Sequence, residues 1–341
     1  MTQLLDTTSS AIAAEFVRGR RKAGSPAMGM VLTLVIVMHD EDAERALGAA
    51  RAASREHPAR VLAVILGDGR GKGSITADVE VGTGAWTGEV AQIRLSGEVT
   101  KHAESVVLPL LLPDSPVVVW WASEAPDSPG DDPVGRLAQR RITDAAAVSR
   151  GKRQAMMRQC ASYTPGNTDL AWTRITSWRA MLAATLDQHQ VKVTGAKVVA
   201  EAISPSADLL GAWLADRLRI DVDRGTSDGP GITRVELQTK DGPITLSRGD
   251  GALATLSAPG QPDRPVALRR RDFPGLLAEE LRHLDEDDIY AATVRHLAAG
   301  PSKRTPSKRT PAKRTTTKKA AVTKKPSATK KSTSRARRKN A

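Results

Sequence analysis

Two apolar strands joined by a helix, a later series of short alternating segments, and an abrupt charge shift at the C-terminus predict the fold class of this chain. It reads as α/β and α+β, with two mixed domains followed by a disordered basic tail. The first domain is expected to be Rossmann-like with a βαβ unit, and the second to combine an antiparallel sheet with helices. The expected bounds are 1–165, 166–300 and 301–341.

Taken in order, Thr8–Lys22 is expected to be an amphipathic helix. Ile12 and Phe16 stand four residues apart, Arg18, Arg20, Arg21 and Lys22 suit the helix C-terminus, and Gly24 can stop it. Met30–Met38 (MVLTLVIVM) is almost uniformly apolar and β-branched, as a strand covered on both faces must be. Asp40–Glu56 then places Ala43, Ala46, Leu47, Ala50 and Ala53 at helical spacing, and Arg60–Leu66 is a second buried strand. Strand, helix and strand so close together require a parallel pair with a right-handed crossover. Ser74–Val81 and Glu89–Leu95 alternate and predict a hairpin pair; Lys101–Leu112 reads as a helix ended by Pro113. Pro116–Trp121 (PVVVWW) is a third buried strand, and helices are expected over Arg136–Ala147 and Gly151–Tyr163.

The breaker Tyr163–Asp169 (YTPGNTD) marks a domain boundary, after which Thr168 is expected to cap a helix running from Asp169 to about Leu186. Its apolar stripe is Ala171, Ile175, Trp178 and Leu182. Val191–Ala200 reads as a strand and Asp208–Leu218 as a helix. Four alternating segments between Gly231 and Leu268 predict an antiparallel sheet, and Phe273–Leu284 and Glu286–Leu297 read as closing helices.

Charge separates the tail from the rest. Of 51 Lys and Arg, 16 lie in residues 301–341 with no acidic residue beside them, which leaves 35 basic against 38 acidic residues in the body. The formal net charge of +13 therefore belongs to the tail, whose PSKRT-like repeats cannot bury a core and predict disorder. A single cysteine, Cys160, excludes an intrachain disulfide and any cysteine-cluster metal site. With no apolar run near the ~20 residues that span a bilayer, a soluble protein of a reducing, cytoplasmic compartment is expected.

Chemistry-bearing patterns are few. The glycine run from Gly67 to Ser74 lacks the Gly-Lys-Ser/Thr order of a phosphate loop and is followed by a strand pattern, so it reads as a β–β turn. None of the six histidines has metal-ligand spacing, and no G-x-S-x-G elbow occurs. No cofactor, no metal and no catalytic set are predicted. Asp285–Asp288 read as acidic residues opening a helix, and Arg269–Arg271 as a solvated loop. His39 and Asp40, at the end of a parallel strand, together with Lys72 are the candidate contacts for an anion or metabolite, although Asp40 serves equally as a helix cap.

Tryptophan is more telling, because the chain has only two Phe and two Tyr beside six Trp. Trp120 and Trp121 must point to opposite faces of their strand. Trp172, with Arg174 and Arg179, joins Arg140, Arg141 and Asp144 as candidate partner-binding residues, since Trp and Arg together anchor interfaces.

Four segments carry a resemblance: SREHPARV (Ser54–Val61), PDSPVVVWW (Pro113–Trp121), RRITDAA (Arg140–Ala146) and DLAWTRITSWR (Asp169–Arg179). In order and spacing over about residues 30–298 they resemble the OpcA family, the glucose-6-phosphate dehydrogenase assembly proteins. The resemblance implies a non-catalytic partner that promotes the active oligomer of glucose-6-phosphate dehydrogenase in the oxidative pentose phosphate pathway. An internal thiol switch cannot be carried over to a chain with one cysteine, and the tail is no part of the resemblance. Two alternatives stand beside it. One is a nucleic-acid- or polyanion-associated protein acting through Lys303, Arg304, Lys308, Arg309, Lys313 and Arg314. The other is a sugar-phosphate sensor or enzyme built around His39, Asp40 and Lys72.

Overall fold

A strand that is apolar at every position is stable only between two layers, and this is where the three apolar runs lie. The structure, a computed structural model, describes residues 1–24, 29–82, 88–249 and 252–300. In chain order it begins β1 (Thr2–Leu4), α1 (Ser9–Ala23), β2 (Leu32–Met38), α2 (Ala43–Ala53), β3 (Ala59–Leu66), β4 (Ser74–Val81), β5 (Glu89–Ser96), α3 (Ala103–Val107), β6 (Val117–Trp121) and β7 (Arg140–Thr143). There follow α4 (Lys152–Ala161), β8 (Asn167–Asp169), α5 (Leu170–Thr173), α6 (Thr176–His189), β9 (Val193–Ala200), α7 (Pro205–Leu218) and β10 (Val222–Thr226). The body closes with β11 (Ile232–Thr239), β12 (Gly242–Ser247), β13 (Leu253–Ser257), β14 (Arg264–Ala267), α8 (Phe273–Arg282) and α9 (Asp288–Ala299).

The first sheet has the order β1-β4-β5-β3-β2-β6-β7-β8. From β5 to β8 all pairings are parallel, and β4 and β1 add an antiparallel edge. Alternation along β2 sends Leu32, Leu34, Ile36 and Met38 to the face covered by α2 and α8, and Val35 and Val37 to the face covered by α1 and α3. Trp120 and Trp121 divide the same way and are both buried, as the strand pattern requires. Thr8 caps α1 and Gly24 ends it in the left-handed conformation at φ 60°. A buried ion pair ties this helix to the sheet: Glu89 accepts from Arg20 and Arg60, and the Arg60 guanidinium lies 4.8 Å over the Phe16 ring.

The second sheet has the order β10-β9-β11-β12-β13-β14 and is antiparallel except for the parallel β9–β10 pair. In β11 one face is buried: Ile232, Val235 and Leu237 point into the core formed with α6, α7 and α9, while Arg234 and Gln238 are exposed. Met1–Pro301 is a single compact unit containing both sheets. β8, which follows the expected boundary at 165/166, pairs with β7, and α8 returns from the far end of the chain to cover the first sheet. No helix among the described residues is long and apolar enough to cross a membrane.

Several expectations are corrected. Arg136–Ala147 is not a helix: its centre is β7, paired with β6, where Arg140 and Arg141 are buried against partners from later segments. The helix expected from Asp169 is split into α5 and α6, and its cap is Asp169, whose side chain accepts from Ala171 N, not Thr168. Asp40 does not cap α2; a short 3-10 turn over Asp40–Asp42 precedes that helix. Lys101–Leu112 holds only the five-residue α3 between 3-10 turns. The Gly67–Gly73 segment does connect two strands, β3 and β4, as expected, although they are not neighbours in the sheet.

Candidate functional site: a buried polar junction beside a cationic cavity

The two segments RRITDAA and DLAWTRITSWR meet where the ends of β7 and β8 abut α5, α8 and α9. Arg140, 4% exposed, donates to Glu280 of α8 at 2.8 Å and to the Asp285 carbonyl at 2.8 Å. The same Glu280 accepts the Thr173 hydroxyl at 2.5 Å. Arg141 donates to Asn167 at 2.6 Å, to the Ala138 carbonyl at 2.8 Å and to the Pro165 carbonyl. Gly166 makes this close approach feasible: its φ of +87° is open to glycine, and a Cβ there would lie 2.2 Å from the Gln139 carbonyl oxygen.

Asp144 takes a bidentate fork from Arg174 at 2.6 and 2.8 Å. Asp169, fully buried, accepts from Thr143 Oγ1 at 2.6 Å, Ala145 N at 2.9 Å and Ala171 N at 2.7 Å. Burial first, and the neighbouring Asp144 charge second, push its carboxyl up to about 6 despite those three donors. A proton held this way stabilises the fold below the ordinary carboxylate range, and the benefit is lost as pH rises through about 6. Wild-type protein should therefore lose about 1 kcal/mol more stability than Asp169→Asn between roughly pH 5 and pH 7. Urea unfolding of both proteins at the two pH values checks this; equal losses would contradict it.

Trp172 is buried as well. Its indole donates to Asp287 Oδ2 at 2.8 Å, while Asp287 Oδ1 accepts the Tyr290 amide at 2.8 Å and so caps α9. Arg179 stacks 3.6 Å over the Trp172 ring, and Tyr290 lies 5.4 Å from it. Burial pushes the Arg179 guanidinium down to about 10, with Asp287 and Glu280 opposing. Cys160 lies in the same core; burial, then the Asp169 charge, push its thiol up to about 12, where it is a poor nucleophile.

Of the six candidate contact residues, then, Trp172, Arg140, Arg141 and Asp144 are buried and engaged inside the molecule. Arg174 and Arg179 are partly exposed, yet one is committed to Asp144 and the other to the Trp172 face. His39 and Asp40 are exposed; Asp40 pairs with Arg94, and His39 Nδ1 lies 3.3 Å from the Leu66 carbonyl oxygen. Lys72 is exposed on its loop. Lys303, Arg304, Lys308, Arg309, Lys313 and Arg314, with the expected disorder of the tail, lie outside the described residues.

Beside the junction, and sharing Arg174 with it, opens a cavity of about 280 Å³. Trp178, Ile175 and Ile232 line it, together with the first turn of α7 at Ser204–Ser206. Arg248, at the end of β12, lies 5.1 Å over the Trp178 ring. Arg270 and Arg271, expected in a solvated loop, also line this cavity. Sequence reasoning missed the cavity because its cations come from four separate segments. Among the described residues no group of three or more His, Cys, Asp or Glu could hold a metal ion.

The same junction segments fall within two family matches. Residues 50–162 match the N-terminal domain of the glucose-6-phosphate dehydrogenase subunit family, and residues 165–294 match the C-terminal domain of the same family. The chain belongs to the OpcA family. Its role is thereby associated with glucose-6-phosphate dehydrogenase. No curated protein matches the sequence. Among solved structures, a 3-ketoreductase from Actinomadura kijaniata is similar at 11% identity and a TM-score of 0.42, covering 79% of this chain and 95% of that one. A putative myo-inositol dehydrogenase from Sinorhizobium meliloti is similar at 10% identity and a TM-score of 0.39, covering 78% and 95%. Likenesses this weak bear on neither reaction nor ligand.

Proposed function

We propose that the folded body is a non-catalytic assembly or allosteric effector that binds glucose-6-phosphate dehydrogenase and favours its active oligomer in the oxidative pentose phosphate pathway. What carries this reading is the pair of family matches, which together span residues 50–294 and are both described as subunit domains of that enzyme. Supporting it, the polar groups of the junction engage one another: Arg140 pairs with Glu280, Arg174 with Asp144, and the Trp172 indole donates to Asp287. Such a network ties the end of the first sheet to the helices beside it, which suits a rigid docking body, and leaves the contact to the surface around it.

An effector that bound every form of the enzyme equally would change nothing. Each tenfold shift toward the active oligomer requires about 1.4 kcal/mol of preferential affinity for it. The full chain and the purified dehydrogenase should therefore co-elute as a complex at about 0.15 M salt, with the complex surviving near ~0.5 M because the body is close to neutral. Independent elution at both salt concentrations would defeat the proposal. Binding of a polyanion by the tail residues Lys303 to Arg314 rests on their composition alone.

A further inference from the structure

The cavity beside Trp178 carries positive charge that the described residues leave unmatched. Lys152, Arg174, Arg248, Arg270 and Arg271 line it against one carboxylate, Glu201. Arg174 is neutralised by Asp144, and Arg271 lies 3.5 Å from Glu279. Lys152, Arg248 and Arg270 make no ion pair among the described residues; Arg270 reaches only the Pro230 carbonyl.

Arg248 is the telling member. It is 6% exposed, its two terminal nitrogens donate to the Leu268 and Ile232 carbonyls at 3.0 and 3.1 Å, and its Nε has no hydrogen-bond partner among the described residues. Burial, and then the like charge of Arg270, push its guanidinium down to about 10. A buried cation without a counter-ion is costly, and an anion bound in the cavity would offset that cost by balancing Arg248 and Arg270. The first turn of α7, a helix of 14 residues with Ser204 as its cap, also lines the cavity. Its positive dipole end favours the same sign of ligand.

We propose that this cavity binds a small organic phosphate, with the phosphate held by Arg248, Arg270 and Lys152 and the carbon skeleton against Trp178 and Ile175. Two observations select this class. Lys152, Arg248 and Arg270 against the one carboxylate of Glu201 leave an excess of two positive charges, which suits a dianion better than a single carboxylate. The volume, about 280 Å³, is at the lower end for small-ligand sites, and the indole and isoleucine walls offer apolar cover for a short carbon chain or ring. This site does not depend on the chain acting on the dehydrogenase. It also differs from the surface around His39 and Lys72 that the sequence suggested for a sugar phosphate.

Titration calorimetry of the full chain with glucose 6-phosphate, inorganic phosphate and glucose tests the site. Saturable binding of glucose 6-phosphate is expected, weaker binding of inorganic phosphate, and no heat from glucose. Arg248→Gln should weaken the sugar phosphate by about tenfold or more, since a charge-assisted contact of this kind is worth at least that factor. The 16 basic residues of the tail are the same in every variant, so the difference between variants reports the cavity. Should Arg248→Gln fail to fold, the double variant Lys152→Ala/Arg270→Ala, altering two half-buried side chains, should show the same loss. Absence of saturable binding by either phosphate, affinity unchanged in the variants, or inorganic phosphate binding as tightly as the sugar phosphate would each overturn the proposal.

Discussion

Glu280→Ala should unfold at markedly lower urea than the wild type, with a stability loss of about 3–5 kcal/mol. Arg140 is 4% exposed, and removing its carboxylate leaves it only the Asp285 carbonyl, because its Nε already has no partner among the described residues. Thr173 Oγ1 loses its acceptor at the same stroke. An unmatched buried charge costs far more than the pair contributes when intact, and a loss of this size is a large share of the ~5–15 kcal/mol that keeps a typical domain folded. Replacing both partners with apolar groups of similar size, as in Arg140→Met/Glu280→Leu, should therefore be milder than the single change. A double variant as unstable as Glu280→Ala would show that the charges themselves hold the junction together.

Trp172→Ala should cost a comparable ~3–5 kcal/mol, as expected for deletion of a buried indole. The ring supports Arg179 at 3.6 Å and Tyr290 at 5.4 Å, and its N–H satisfies one oxygen of Asp287, whose other oxygen caps α9. Losing it would leave a cavity, an unstacked guanidinium and a half-satisfied carboxylate together. Trp172→Phe keeps a six-membered aromatic ring but loses the rest of the indole and its hydrogen bond, so a smaller loss of about 1–3 kcal/mol is expected. That milder variant also separates packing from docking. A buried Trp172 predicts that Trp172→Phe still binds the dehydrogenase with wild-type affinity, whereas an interface anchor would lose affinity without losing stability. Urea unfolding and binding titration on the same preparations read both quantities.

Where a segment's environment is decided locally, the sequence could be read. Met30–Met38, Arg60–Leu66 and Pro116–Trp121 have no polar face to expose, so burial on both sides was the only solution, and β2, β3 and β6 occupy the middle of the first sheet. The alternating segments after Gly231 likewise became β11 to β14. Reading failed where polarity was cancelled from a distance. Arg140 and Arg141 look like surface residues until Glu280, 140 positions further on, and Asn167 bury them, so β7 resembled a helix. β10 (VDRGT) is a mostly exposed edge strand with no apolar rhythm, and nothing local announced it. The cavity fared worst, because Arg248 and Arg270 converge only after the second sheet and the loop before α8 are in place.

Central to the proposed function is that the folded body changes the assembly of glucose-6-phosphate dehydrogenase. The most direct measurement is sedimentation velocity and activity of that enzyme, titrated with the full chain over about a tenfold range of excess. A larger species containing both proteins should accumulate, and activity should rise with its population. An unchanged sedimentation profile together with unchanged activity at the highest excess would contradict the proposed role.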